Sequence, residues 1–159
     1  MNNIGLIPIN EKCKKLLILD ATDDRTSAEN LCKEFINRGY EADIDRVIYD
    51  TEFRVCRQDD FDKLQEKYDI VIFAINAEIR KWGEPMMLIW ASHMFDKNKK
   101  IIVNFSSPFY ADIIFPEDPT IIDANSSANK AAIEMIADGI TGKANFEGKP
   151  AVKDIRTIK

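Results

Sequence analysis

The chain has 159 residues, of which 45% are hydrophobic and 31% are charged, and its formal net charge at pH 7 is −5. This length fits one domain with a sizeable core, and the composition is that of a globular protein and not of a disordered one. The acidic balance argues against a nucleic-acid partner, because neutralising phosphates requires clustered Lys and Arg, and the lysines here are scattered among carboxylates.

The chain shows no targeting signal and no membrane-spanning run. Met1–Asn10 lacks a charged region followed by an apolar core, and no apolar run approaches the roughly 18 residues that span a bilayer. We therefore expect no membrane partner and, for the chain as it stands, a cytoplasmic location. The cysteines at 13, 32 and 56 are odd in number and widely spaced, which predicts free thiols and neither a disulfide framework nor a metal site.

The first half of the chain predicts alternating strands and helices. Lys15–Asp20 is a continuous apolar run of strand length, and Thr26–Arg38 has apolar residues at helical spacing before Gly39. Glu41–Ile48 alternates polar and apolar residues, which predicts an edge strand. Phe53–Tyr68 predicts a polar helix.

The second half continues the alternation. Asp69–Ile75 is the strongest strand signal in the chain, and because it is apolar on both faces we expect it in the middle of the sheet. A helix is predicted over residues 85–95, since proline suits the first helical turn, and a strand over Lys100–Phe105. A short edge strand is predicted around Pro150–Val152. The pattern indicates an α/β fold, a three-layer α/β/α sandwich with a mainly parallel twisted sheet and a flavodoxin-like overall shape.

An alanine-rich helix near the end of the chain is predicted to pack closely on the sheet. The sheet-facing stripe would consist of small or flexible side chains: Ala128, Ala131, Ala132, Met135 and Ile136. Gly139 is predicted to end this helix, because glycine adopts the backbone conformation that other residues resist there.

Ligands of open α/β sheets bind at the carboxyl ends of the strands, so the candidate loops are Asp20–Arg25, Asn76–Gly83 and Ser106–Asp112. A two-component receiver needs a phosphate-accepting aspartate after the central strand, and this strand ends in asparagine. In a flavin site Asp23 and Asp24 would repel the phosphate, and no glycine lets the backbone approach. We therefore expect no cofactor and a loop whose Asp and Thr side chains cap the next helix.

Other catalytic signatures are weak or missing in the sequence. GxGxxG, GxxxxGK[ST] and GxSxG do not occur, so dinucleotide, P-loop and hydrolase-elbow functions have no support. His93 is the only histidine and lies in a predicted helix, which excludes a multi-histidine zinc site and favours a position on the helix face or a packing role. Trp82 and Trp90 could form a sugar platform or an interface anchor, although packing between helix and sheet is the more common role of tryptophan.

The order of motifs in the last third resembles the carboxyl-terminal sandwich domain of glycoside hydrolase family 3. The strand KIIVNF runs into SSPFY, a helix follows, and the closing phrase GITGKANFEGKPAV over residues 139–152 is similar to the family's G-x-x-x-x-T/A-G-K-L-P-V. The start, Asn3–Ile9, resembles the connector that enters this domain from the preceding barrel. The resemblance implies one domain, with residues 1–14 as connector, 15–152 as sandwich and 153–159 as tail.

The resemblance also implies a function. The family's nucleophilic aspartate lies on a barrel of about 250 residues that this chain does not contain, so no catalytic residue is carried over. In the β-glucosidase-like branch the loop after the central strand supplies the acid/base, near an Asp-Arg pair. Here that loop, Asn76–Gly83, is short and the pair is absent, which points to the N-acetylhexosaminidase-like branch. The implied function is a non-catalytic accessory domain of an enzyme that hydrolyses terminal N-acetylhexosamine glycosides.

The implied partner is the enzyme's own barrel, with carbohydrate contacted indirectly. The loops that would border the substrate cleft carry these residues: Glu78, Trp82, Ser106, Ser107 and Tyr110. Glycoside hydrolysis needs two carboxyls roughly 5 to 10 Å apart, and Asp20, Glu78 and Asp112 are candidates by location only. A free-standing flavodoxin-like ligand-binding or regulatory module is the alternative.

Overall fold

The computed structural model describes residues 5–24, 26–45, 58–76, 92–108, 120–124 and 127–146. The elements are, in chain order, β1 (Lys15–Thr22), α1 (Thr26–Asn37), β2 (Glu41–Asp45), α2 (Gln58–Lys67), β3 (Ile70–Asn76), β4 (Lys100–Asn104), β5 (Ile121–Asp123) and α3 (Lys130–Ile140). The five strands form one parallel sheet in the order β2-β1-β3-β4-β5. The predicted three-layer α/β fold is confirmed.

The strands occupy the positions that their hydrophobicity predicts. β3 is the middle strand and is buried along almost its whole length, because both of its faces are covered and both of its edges are paired. β2, in which acidic residues alternate with Ala42 and Ile44, is an edge strand. Ser92 and the exposed His93 are helical and come just before a turn. The remaining parts of the predicted elements, at residues 46–48, 53–57, 85–91 and 150–152, lie outside the described residues.

The short strand β5 was not assigned from the sequence. It pairs with β4 from Ile102↔Ile121 to Asn104↔Asp123. Three residues are too few to show a period of two, so the hydrophobic pattern could not separate this strand from a loop.

The sheet divides the core into two layers. One layer packs α1 and α3 against alternate strand residues such as Ile18 and Ile72, and the other packs α2 and Phe95 against intervening residues such as Leu19 and Phe73. Successive side chains of a strand point to opposite faces, so each central strand serves both layers. None of the helices in the described segments is long and apolar enough to cross a bilayer.

The predicted sheet-facing stripe of α3 is wrong in part: Ile136 is buried and Ala128 packs against the core, but the other members are exposed or half-buried. The buried side chains of this helix are Ile133, Ile136, Ala137 and Ile140. Ala131 and Met135 are exposed, the latter by 60%. Spacings of three, four and seven residues put the three isoleucines on one helical face, and burying them removes more apolar surface from water than burying alanines.

The prediction that Gly139 ends the last helix is also wrong. Gly139 is buried inside α3, which continues to Ile140. A β-carbon at this position would overlap the ring of Phe146, so close packing accounts for the glycine. The left-handed conformation occurs three residues later, at Gly142, where φ is 79°.

The described part of the amino-terminal segment, residues 5–14, packs against the end of α3. Ile7 and Ile9 are buried in the same layer as α3, and the Ile9 N–H donates to the Ile140 carbonyl oxygen at 2.9 Å. Pro8 lies beside Gly142. The assignment of residues 1–14 to a connector between domains remains a prediction, but residues 5–14 contribute directly to the core.

Arg38, just after α1, ties this helix to α3. Its Nε donates to Asp138 Oδ1 at 2.9 Å and its Nη1 to the Glu34 carbonyl oxygen at 2.7 Å. Nη1 also pairs with the Glu34 carboxylate, and Nη2 reaches the Glu134 carbonyl oxygen. The guanidinium is largely buried, so these partners replace the water it loses.

Candidate functional site at the carboxyl edge of the sheet

All five strands run in the same direction, so their carboxyl ends meet at one edge of the sheet. β1 lies between β2 and β3, with Thr22 opposite Asn76 at this edge. From β1 the chain crosses to β2 on one side, and it later returns to β3 on the other. Between β1 and β3 it therefore forms a topological switch point, which is where open α/β sheets bind ligands.

Asp20, near the end of β1, is completely buried. Its Oδ1 accepts hydrogen bonds from the Thr22 backbone N–H at 2.9 Å and from Thr22 Oγ1 at 2.6 Å. By strand alternation it lies on the same face as Ile18, towards α1. This carboxylate therefore lies inside the sandwich and has no exposed surface to offer a ligand.

Asp24 links the β1 loop to α1 and to β3. Its carboxylate accepts from the Ser27 N–H at 3.2 Å, from Ser27 Oγ at 2.6 Å and from Asn76 Nδ2 at 2.8 Å. The Asp23 N–H donates to the Asn76 carbonyl oxygen. The predicted capping of the next helix is thus found at Asp24, because Ser27 lies in the first turn of α1.

The hydrogen bonds to Asp24 also affect the pKa of its carboxyl group. Burial by itself raises the pKa of this carboxyl, but the hydrogen bonds from Ser27 and Asn76 outweigh burial and bring the pKa below its ordinary value. The group is therefore ionised at neutral pH. A negative charge held at the amino end of α1 would repel a phosphate group there, which argues against a flavin-type site.

Asn104, at the end of β4, organises a second polar group. Its Oδ1 accepts from the Ser106 N–H and its Nδ2 donates to the Ser107 carbonyl oxygen, each at 3.1 Å. Ser106 is buried and Ser107 is half-buried. The sequence analysis singled out both serines but missed Asn104. An asparagine two residues before a Ser-Ser-Pro segment was the available signal, because its side chain can bond to nearby backbone groups.

The structure does not bring these two polar groups to one face. Asp20 and Asn76 alternate with the residues that face α2, so they lie on the α1 side of the sheet. Asn104 is two residues after Ile102 in the strand, so it lies on the same face as Ile102, which is the α2 side. The other residues predicted to border a cleft, Glu78, Trp82 and Tyr110, lie outside the described residues, as does Asp112.

The described cysteines are not arranged for metal or nucleophilic chemistry. Cys13 and Cys32 are free thiols, and burial raises the pKa of each, so both stay protonated at neutral pH. Within the described ranges, His, Cys, Asp and Glu form no group of three or more that could hold a metal ion.

Comparison with known proteins gives one informative likeness. No model of a protein family matches the sequence, and no curated protein matches it. Among solved structures, the chain is similar to a glycoside hydrolase family 3 β-N-acetylglucosaminidase from Paenibacillus sp. str. FPU-7, with a TM-score of 0.65 and 14% identity. The alignment covers 94% of this chain and 29% of that enzyme. At this identity the likeness shows a shared fold, and the chain spans less than a third of the enzyme's length.

Proposed function

We propose that this chain is a non-catalytic accessory domain of a glycoside hydrolase family 3 enzyme. The structural alignment carries the proposal, because it takes in nearly all of this chain and only a minor part of the similar enzyme. This difference in coverage is expected when a chain corresponds to one domain of a larger protein. Separate support comes from the motif order between Lys100 and Val152, which resembles the same family.

The parent enzyme in this proposal is a β-N-acetylhexosaminidase that acts on terminal N-acetylhexosamine glycosides. Two observations support this branch of the family. The loop Asn76–Gly83 is short and lacks an Asp-Arg pair, and the similar solved structure is that of a β-N-acetylglucosaminidase.

The strand-end carboxylates support a non-catalytic role. Hydrolysis of a glycoside uses one carboxyl as general acid, with a raised pKa, and a second as nucleophile or base. Asp24 has a lowered pKa, the opposite of what a general acid needs, and Asp20 is buried against Thr22. Both are used within the fold.

The partner of this domain is the barrel of the same enzyme, on which the nucleophilic aspartate of the family lies. Carbohydrate would then be contacted indirectly, where the loops of this domain border the substrate cleft of the barrel. The residues proposed for that border are Glu78, Trp82, Ser106, Ser107 and Tyr110. Asn104 supports this role for two of them, because it fixes the backbone around both serines at the carboxyl edge.

The proposal is tested by an activity assay and a binding assay. The purified chain, incubated with 4-nitrophenyl N-acetyl-β-glucosaminide, is expected to release no more nitrophenol than buffer does. Co-expressed with the barrel encoded in the same gene or gene cluster, it is expected to co-purify in a one-to-one complex that hydrolyses the substrate. Asp24→Asn in that complex should leave kcat unchanged.

Two results would overturn the proposal. Hydrolysis by the chain alone that disappears in Asp20→Asn or Asp24→Asn would make this domain catalytic. Failure to associate with any such barrel, combined with saturable quenching of FMN fluorescence by the chain, would favour the free-standing flavodoxin-like module. That module is not favoured at present, because the Asp24 carboxylate lies at the amino end of α1.

A further inference from the structure

We draw no further inference here: the strongest candidate, the outward face of α3 around Ala131 and Met135, is an unpartnered apolar face, and nothing in the described part of the structure shows what covers it.

Discussion

The backbone of Gly139 in α3 lies directly against the ring of Phe146, six residues after the helix ends. A β-carbon at position 139 would overlap three ring atoms, so only glycine lets the chain fold back at this distance. The contact holds residues 141–146 against the helix and adds Phe146 to the core layer formed by α1 and α3. It explains a glycine in the last turn of α3, where close packing and not a left-handed backbone conformation requires this residue.

The Gly139–Phe146 contact predicts that Gly139→Ala changes stability in opposite directions depending on whether Phe146 is present. In the natural sequence Gly139→Ala should destabilise the domain by about 1 to 3 kcal/mol, because the added methyl group overpacks against the ring. In a Phe146→Ala background the same change should be neutral or stabilising by up to about 1 kcal/mol, because alanine favours the helix. Urea unfolding of the four proteins gives the double-mutant cycle, and additive effects would show that the two residues do not interact.

Removing the Asp24 cap should weaken α1. Asp24→Ala loses the hydrogen bonds from Ser27 and Asn76 and should lower the free energy of unfolding by about 0.5 to 2 kcal/mol. Asp24→Asn keeps an acceptor oxygen and should cost less. The exposed Lys33 of α1 provides the control, because Lys33→Ala should stay within about 0.5 kcal/mol of the natural protein. An equal cost for Asp24→Ala and Lys33→Ala in chemical denaturation would contradict the assigned role.

Arg38 should contribute more to stability than an exposed ion pair within α3. Arg38→Met leaves Asp138 and Glu34 without their common partner and should cost about 1 to 3 kcal/mol of stability. The pair Lys130–Glu134 is exposed, and Lys130→Met should cost less than about 0.5 kcal/mol. The measurement is the urea midpoint of each variant. Similar midpoints for the two variants would show that the buried hydrogen bonds of Arg38 stabilise the domain no more than an exposed ion pair does.

The Ile9 side chain tests whether the amino-terminal segment belongs to the folded domain. Ile9 is 5% exposed and its N–H bonds to Ile140. Ile9→Ala should therefore destabilise the domain by about 2 to 4 kcal/mol through the cavity it leaves. Glu11→Ala, at an exposed position in the same segment, should change stability by less than about 0.5 kcal/mol. Thermal unfolding that is equally unaffected by both substitutions would mean that this segment is dispensable.

Asp69 should make the free energy of unfolding depend on pH in the acid range. The backbone N–H groups of Lys15 and Lys14 donate to its carboxylate, and these bonds lower its pKa in the folded state. Because the unfolded value is about 3.9, the stabilisation is complete above that pH and is lost as the pH falls through the lower, folded value. The free-energy difference between the natural protein and Asp69→Asn should shrink from pH 7 to pH 3.

The effect of Asp69 should be small, below about 1 kcal/mol, because its side chain is exposed and solvent screens the charge. Urea unfolding followed by circular dichroism across this pH range measures it. Glu66→Gln, in an exposed part of α2, controls for the loss of a surface charge. A pH-independent difference for Asp69→Asn would rule out a depressed pKa at this position.

The candidate site was only partly readable from the sequence. The loop after β1 was expected to cap the next helix, and Asp24 does so because a carboxylate beside a helix start meets unpaired N–H groups there. The pairing of Asp24 with Asn76 could not be read, since it joins residues 52 positions apart that meet only when β1 and β3 become neighbours. Asn104 bonds to backbone atoms of Ser106 and Ser107, so an asparagine close before these serines was the local signal that the sequence offered.

The sequence by itself determined the class of fold and the centre of the sheet. Continuous apolar strands such as β3 can be stable only where helices cover both faces, so their composition implies their position. The tertiary structure alone decided which side of α3 is buried and why Gly139 is a glycine. The stripe predicted for α3 and the face that is buried share Ile136, and both have helical spacing. The buried face is the one that removes more apolar area from water against the sheet. Gly139 is a glycine because Phe146 folds back against the helix. Neither property is specified by any local run of residues.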